Sequence, residues 1–255
     1  MCELLGMSAN VPTDICFSFA GLARRGGETG PHADGWGVTF YDGKGCRTFK
    51  DPQPACRSKV AELVQNYPIH SCTVIAHIRQ ANSGCISVEN THPFQRELWG
   101  RQWTFAHNGQ LRQYRKLRLG RFRPIGDTDS EHAFCHLMSQ LAERYRDLPK
   151  NRVAMFRRLI PLLERLRTLG VFNILLSDGE YLLVYCSTQL HHLTRRAPFS
   201  NATLRDCDWR IDFAEETRAD DVVAVVATQP LTVDEPWIKM APGDWALFRY
   251  GERVA

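Results

Sequence analysis

The sequence predicts a layered α+β domain, on three observations. Apolar runs of strand length recur along the chain, punctuated by Gly, Asn and Asp turn residues. Two long segments with apolar residues at helical spacing stand together in its middle. The strand-like runs that follow succeed one another closely, as antiparallel hairpins do.

Taken in order, "CELLGMSA" (2–9) reads as a strand broken by Pro12 in "NVPTD", and a helix follows over 14–24, capped by Thr13 or Asp14. The stretch "RRGGETGPHADGWG" (24–37) holds five glycines and a proline, which makes it a loop with positive-φ positions. "VTFYD" and "CRTFK", separated by "GKG", form a hairpin. A helix over 57–66, a buried strand "CTVIAHI" (72–78), a long loop over 80–95 and a strand "WTFAHN" (103–108) come next. Thr128 and Glu131 stand three apart, a capping box opening the helix "TDSEHAFCHLMSQLAERY". A second helix over 152–169 ends at Gly170, and "VFNILLSD", "YLLVYCST", "LHHLTRR", "DVVAVVAT" and "WALFRY" are strands. Without a repeat, a low-complexity tract or a linker, 1–255 reads as one domain.

Composition excludes several classes. With 255 residues and 44% hydrophobic content the chain buries a sizeable core. Its apolar runs, such as "VVAVVA" (222–227), fall far short of the roughly 20 residues of a membrane-spanning helix. Glu3 and Asn10 interrupt the first ten residues, against a secretion signal, so a soluble cytoplasmic protein without a membrane partner is expected. Nine cysteines without short paired spacings indicate reduced thiols and no zinc motif. The net charge of +4 is mild, but Arg112, Arg115, Lys116, Arg118, Arg121 and Arg123 follow one another with no acid between them. In the absence of a nucleic-acid-binding motif this segment reads as a solvated or partner-facing loop, and nucleic acid is not an expected partner.

Cys2 is the first candidate for chemistry. Removal of Met1, which a small second side chain permits, gives Cys2 a thiol and a free α-amine with ordinary pKa values of about 8.5 and about 8, so one residue supplies nucleophile and base. With Met1 retained, Cys2 is an inert terminus. In "AHNGQL" (106–111) the Asn108 amide and the Gly109 N–H suit a developing oxyanion; the alternative is a plain Asn-Gly turn. His132 and His136 lack a third metal ligand, His191 and His192 face opposite sides of one strand, and His77 and His107 read as hydrogen-bonded structural groups.

The motifs "MCEL", "RGG", "HADGWG", "AHIRQA", "ENTHPF", "AHNGQL" and "GDTDSE", in this order, resemble class II glutamine amidotransferase domains, in particular their stand-alone members. The resemblance implies the N-terminal-nucleophile hydrolase fold, an αββα sandwich of two antiparallel sheets between helical layers. It implies that Cys2 attacks the side-chain amide of glutamine to form a γ-glutamyl thioester, with Asn108 and Gly109 as the oxyanion hole and no cofactor or metal. Arg79 corresponds to the grip on the substrate α-carboxylate and Asp129 to the partner of its α-ammonium. Thr91 and His92 match the pocket loop, and Arg25 with Gly26 the Arg-Gly pair near the active site. Gln80 departs from the Trp that larger relatives place after the arginine. Nothing after residue 170 resembles the synthase domain to which such domains are commonly fused, so a separate acceptor protein is the expected partner. Two alternatives accompany this reading: a γ-glutamyl amidohydrolase acting on a small metabolite or peptide, and a catalytically silent amino-acid-binding domain.

Overall fold

In the computed structural model, which describes residues 2–81 and 84–255, the chain forms two antiparallel sheets. Met1, whose removal the chemistry of Cys2 requires, lies outside the described residues. The first half runs β1 (Glu3–Thr13), α1 (Cys16–Arg24), β2 (Trp36–Asp42), β3 (Gly45–Asp51), α2 (Lys59–Asn66), β4 (Ser71–Ile78), β5 (Phe94–Leu98), β6 (Arg101–Leu111) and α3 (Asp129–Arg144). The second runs α4 (Arg152–Arg157), α5 (Ile160–Arg167), β7 (Gly170–Ser177), β8 (Tyr181–Tyr185), β9 (His191–Arg195), β10 (Asn201–Thr203), β11 (Arg210–Asp212), α6 (Phe213–Glu216), β12 (Val223–Ala227), β13 (Ile238–Lys239), β14 (Trp245–Arg249) and β15 (Glu252–Arg253). One sheet has the order β13-β9-β12-β1-β4-β2-β3, the other β15-β14-β8-β7-β6-β5, and β10 pairs with β11 apart from both.

Side-chain alternation builds the layers. Along β1, Leu4 joins a core between the sheets with Ile75, Ala106, Leu175 and Val226, whereas Leu5 and Met7 join a core shared with Phe19 and Leu22 of α1. On the second sheet Phe105 and Phe172 turn outward against Phe134 of α3 and Leu163 of α5. Neighbouring residues of one strand thus fill different layers, as a period of two requires. The result is helix, sheet, sheet, helix, the expected αββα order.

Local differences from the sequence reading have physical causes. β1 continues through Pro12 to Thr13, because its pairing with β4 slips between Ser8 and Thr13 and leaves Pro12 where no ladder N–H is needed. The helix expected over 152–169 is two helices, since Pro161 lacks an N–H and its ring obstructs a continuous turn; α5 begins there with Pro161 in its first turn. β6 extends past Asn108 and Gly109 to Leu111, so Asn-Gly is strand interior and not a turn.

Candidate active site

The alternation that builds the layers also assembles the site. Continued back one step from Leu4, it puts Cys2 on the face between the sheets, and continued forward from Ala106 it puts Asn108 on the facing side. A second-sheet residue thereby meets the start of a first-sheet strand. The Asn108 Nδ2 donates to Thr228 Oγ1 (3.3 Å), and the same hydroxyl oxygen accepts the Leu4 N–H (2.9 Å), tying β6 to the residue two places from Cys2.

Cys2 is buried, with 8% of its surface exposed. Its Sγ lies against the backbone of Gln80, 3.3 Å from the N–H and 3.4 Å from the carbonyl oxygen. Burial pushes the thiol above its ordinary pKa; the Gln80 N–H and the Arg79 guanidinium pull weakly the other way. A thiol in this setting keeps its proton near neutrality, so nucleophilic attack needs a base beside it.

Gly109 presents its N–H to the same region. Arg112 N–H bonds Leu169 O, while Leu111 N–H leaves the β6–β7 ladder for Asp129 Oδ2 (2.6 Å) and Phe172 N–H leaves it for Ser187 Oγ (2.7 Å). Antiparallel ladders alternate bonded and non-bonded pairs, which makes Gly109–Phe172 and Leu111–Gly170 the non-bonded ones. The Gly109 N–H therefore points away from β7, to the side on which Asp129 captures Leu111. No side chain fits here: a Cβ on Gly109 would collide with the Val171 carbonyl and come within 2.7 Å of His107 Nε2.

A small cavity of about 30 Å³ is lined by Cys2, Arg79, Gln80, His92, Gly109 and Asp129, among others. Arg79 follows the end of β4; its guanidinium donates to the carbonyls of Cys85 (3.1 Å) and Gly84 (3.4 Å), and its main chain exchanges bonds with Gly35 and Asp34. Asp129 opens α3 with its carboxylate turned back to Leu111. Thr91 does not line the cavity; it donates to Ser87 O (2.7 Å) and shapes the loop that ends at His92. Arg25 and Gly26 do not line it either. Arg25 is buried between Glu3 (3.1 Å) and Asp206 (2.8 Å), which places it beside the neighbour of Cys2 and outside the cavity.

Burial keeps His77, His92 and His107 uncharged near neutrality. His107 binds Ser130 Oγ through Nδ1 (2.8 Å) and Val171 O through Nε2 (3.0 Å), so both ring nitrogens are engaged. His77 bonds the His107 carbonyl and stacks on His92 at 4.1 Å. Burial drives the pKa of His77 down to about 3, that of His92 well below its ordinary value, and that of His107 down against the pull of Asp129. On α3, His132 and His136 bond the carbonyls of Leu117 and Arg118, and so hold down the basic 112–123 segment.

Sequence reasoning missed Thr228 and Asn173. The signal for Asn173 was an amide inside the apolar run "VFNILLSD", which a buried strand keeps only with partners. A roomier cavity of about 200 Å³ lies at the opposite end of β1, against Val11, Ile15 and Phe17, with no cysteine in its lining.

Comparison with known proteins shows the family and the fold. A family model described as "Glutamine amidotransferases class-II" matches residues 1–255. The chain is 65% identical over 254 residues to "Putative glutamine amidotransferase YafJ" of Escherichia coli, covering 100% of both chains. It is 45% identical over 255 residues to a "Putative glutamine amidotransferase" of Haemophilus influenzae, covering 100% of this chain and 86% of that one. A crystal structure titled as a predicted glutamine amidotransferase from Pseudomonas aeruginosa superposes with a TM-score of 0.81 at 50% identity over 100% of both chains. The glutamine phosphoribosylpyrophosphate amidotransferase of B. subtilis shares the fold, at a TM-score of 0.64 and 15% identity, over 99% of this chain and 48% of that one. This chain belongs to the class II glutamine amidotransferases, with their N-terminal-nucleophile hydrolase fold.

Proposed function

We propose that the protein hydrolyses the side-chain amide of glutamine, delivering ammonia to a separate acceptor. The observation that carries this reading is one cavity wall combining a buried cysteine at the head of β1, the Gly109 N–H turned out of its ladder, and an arginine and an aspartate on either side.

Once Met1 is removed, the α-amine of Cys2 takes the Sγ proton and sulfur attacks the amide carbon. The Gly109 N–H and Asn108 Nδ2 receive the oxyanion, and the amine returns its proton to the departing ammonia. Water, deprotonated by the same amine, then cleaves the thioester to glutamate. The elevated thiol pKa makes that adjacent base necessary. Arg79 holds the substrate carboxylate in a two-pronged contact. Asp129, with Oδ2 on Leu111, offers Oδ1 to the ammonium. Glutamine exceeds the existing space of about 30 Å³, so the cavity widens when it binds.

Intact mass before and after treatment with a diazoketone analogue of glutamine is the direct test. Active protein is expected to lack Met1 and to gain one adduct on Cys2, and Cys2→Ala is expected to release no ammonia. Turnover by that variant, or by protein that retains Met1, overturns the reading.

A further inference from the structure

Resting on the hydrolytic reading above, we propose that Asn173 is a positioning residue, orienting and polarising the Asn108–Gly109 peptide whose N–H faces the oxyanion. Asn173 stands directly across the ladder from Asn108 and is buried, with 1% of its surface exposed. Its Nδ2 donates to the Asn108 carbonyl (3.1 Å) and to Thr188 Oγ1 (2.8 Å). Its Oδ1 accepts the N–H groups of Ser187 (2.9 Å), Thr188 (3.0 Å) and Gln189 (3.3 Å). All its hydrogen-bonding capacity is directed, and it holds the turn by which the chain crosses from β8 in one sheet to β9 in the other.

The consequence follows from peptide geometry. The Asn108 carbonyl and the Gly109 N–H belong to one planar trans unit and point in opposite directions. The ladder bond from the Asn173 N–H already sets this plane; Asn173 Nδ2 is a second donor on the same carbonyl, which steadies it and withdraws more electron density toward oxygen, strengthening the N–H at the other end as a donor. Thr228 holds the Asn108 side chain from the first sheet while Asn173 holds its main chain from the second. Both oxyanion donors are thus set before substrate arrives, the condition under which such donors act without reorganisation.

Asn173→Asp separates this role from the structural one. A carboxylate still accepts from the 187–189 turn but has no side-chain proton to add to the ladder bond on the Asn108 carbonyl. With glutamine at pH 8.5, Asn173→Asp is expected to lower kcat roughly 10- to 100-fold, part of the loss of about 100- to 1000-fold that follows removal of an oxyanion donor. KM should stay within about twofold, since the head-group contacts are untouched. Alkylation of Cys2 by iodoacetamide, followed on the Cys2 peptide, forms no oxyanion and should proceed at the wild-type rate. Asn173→Ala, which loses the turn as well, should melt lower. Wild-type kcat in Asn173→Asp, or equal losses in hydrolysis and alkylation, would overturn the inference alone. A wild type inactive on glutamine and on other γ-glutamyl amides would overturn the hydrolytic reading, and the inference with it.

Discussion

At the scale of single residues, the site depends on which atoms of each side chain are already engaged. Asp129 commits Oδ2 to the Leu111 N–H, so one carboxylate both closes the end of β6 and carries the charge proposed for the substrate ammonium. Asn at position 129 keeps an oxygen for Leu111 and loses the charge. Asp129→Asn is therefore expected to raise KM for glutamine roughly 10- to 100-fold, the worth of a charged hydrogen bond of about 1.5–3 kcal/mol. The melting temperature should barely change, and steady-state kinetics beside a thermal scan distinguish this from simple unfolding. Cys2, Asn108, Gly109, Arg79 and Asp129 were legible because each stands in a short motif. Thr228 and Asn173 were not, because their partners lie in strands remote in sequence, Leu4 and Asn108 respectively. Arg25 shows the opposite case: its motif was visible, yet its pairing with Glu3 and Asp206 depends on a segment about 180 residues further on.

At the scale of elements, α3 sets the position of Asp129, and its N-terminus is fastened more firmly than the capping-box pattern suggests. Thr128 Oγ1 accepts the Glu131 N–H (3.2 Å) as expected. The Glu131 side chain, however, passes over Thr128 to the N–H groups of Ile125 (3.0 Å) and Gly126 (2.7 Å), and its other oxygen pairs with Arg96 (2.6 Å). One carboxylate therefore anchors the approach to the helix and joins it to β5. Thr128→Ala should cost about 1 kcal/mol, the ordinary worth of a cap. Glu131→Ala should cost roughly 3–5 kcal/mol, because it leaves a largely buried guanidinium and two amide groups unpaired. Urea unfolding of the two variants checks the order; equal midpoints would contradict it. The start of α3 was legible from its local caps. The break between α4 and α5 was obscured because the apolar spacing runs on through Pro161, and the short strands β10, β11, β13 and β15 carry too few residues to show a period of two.

At the scale of the whole molecule, a layered α+β domain was legible from strand succession and the αββα order from the family resemblance, but the pairing that makes it work was not. β1 lies between β12 and β4, so the strand headed by Cys2 is supported from both ends of the sequence. The basic 112–123 segment joins the Gly109 strand to the Asp129 helix, and its six cations are exposed. If this segment meets the proposed acceptor, reversing Arg115, Arg118 and Arg121 to Glu should abolish the salt-sensitive part of that association while leaving basal ammonia release unchanged. Retention of the partner by such a variant would place the docking surface elsewhere.

The same long-range packing makes the fold sensitive to acid. His77, His92 and His107 lie buried where the layers meet, with Arg79, Lys50 and Asp129 as the charges acting on them. Burial lowers all three pKa values, that of His77 to about 3. In the unfolded chain each titrates near about 6.5. Below that value the unfolded state therefore binds more protons than the folded one. Their stabilisation is complete above about pH 6.5 and declines as the pH falls toward the folded values, by about 1.4 kcal/mol per unit for each group. Glu3, raised by burial despite Arg25, works in the opposite direction as a single group. Glu180, lowered through Arg152 and Arg249, loses its contribution only below the ordinary carboxylate range. The fall between about pH 6.5 and 5 should accordingly belong to the histidines. Urea midpoints at these two pH values should differ by several kcal/mol in unfolding free energy, and His77→Gln should reduce the difference by one group's share. A stability unchanged over this interval would mean that these histidines do not titrate on unfolding.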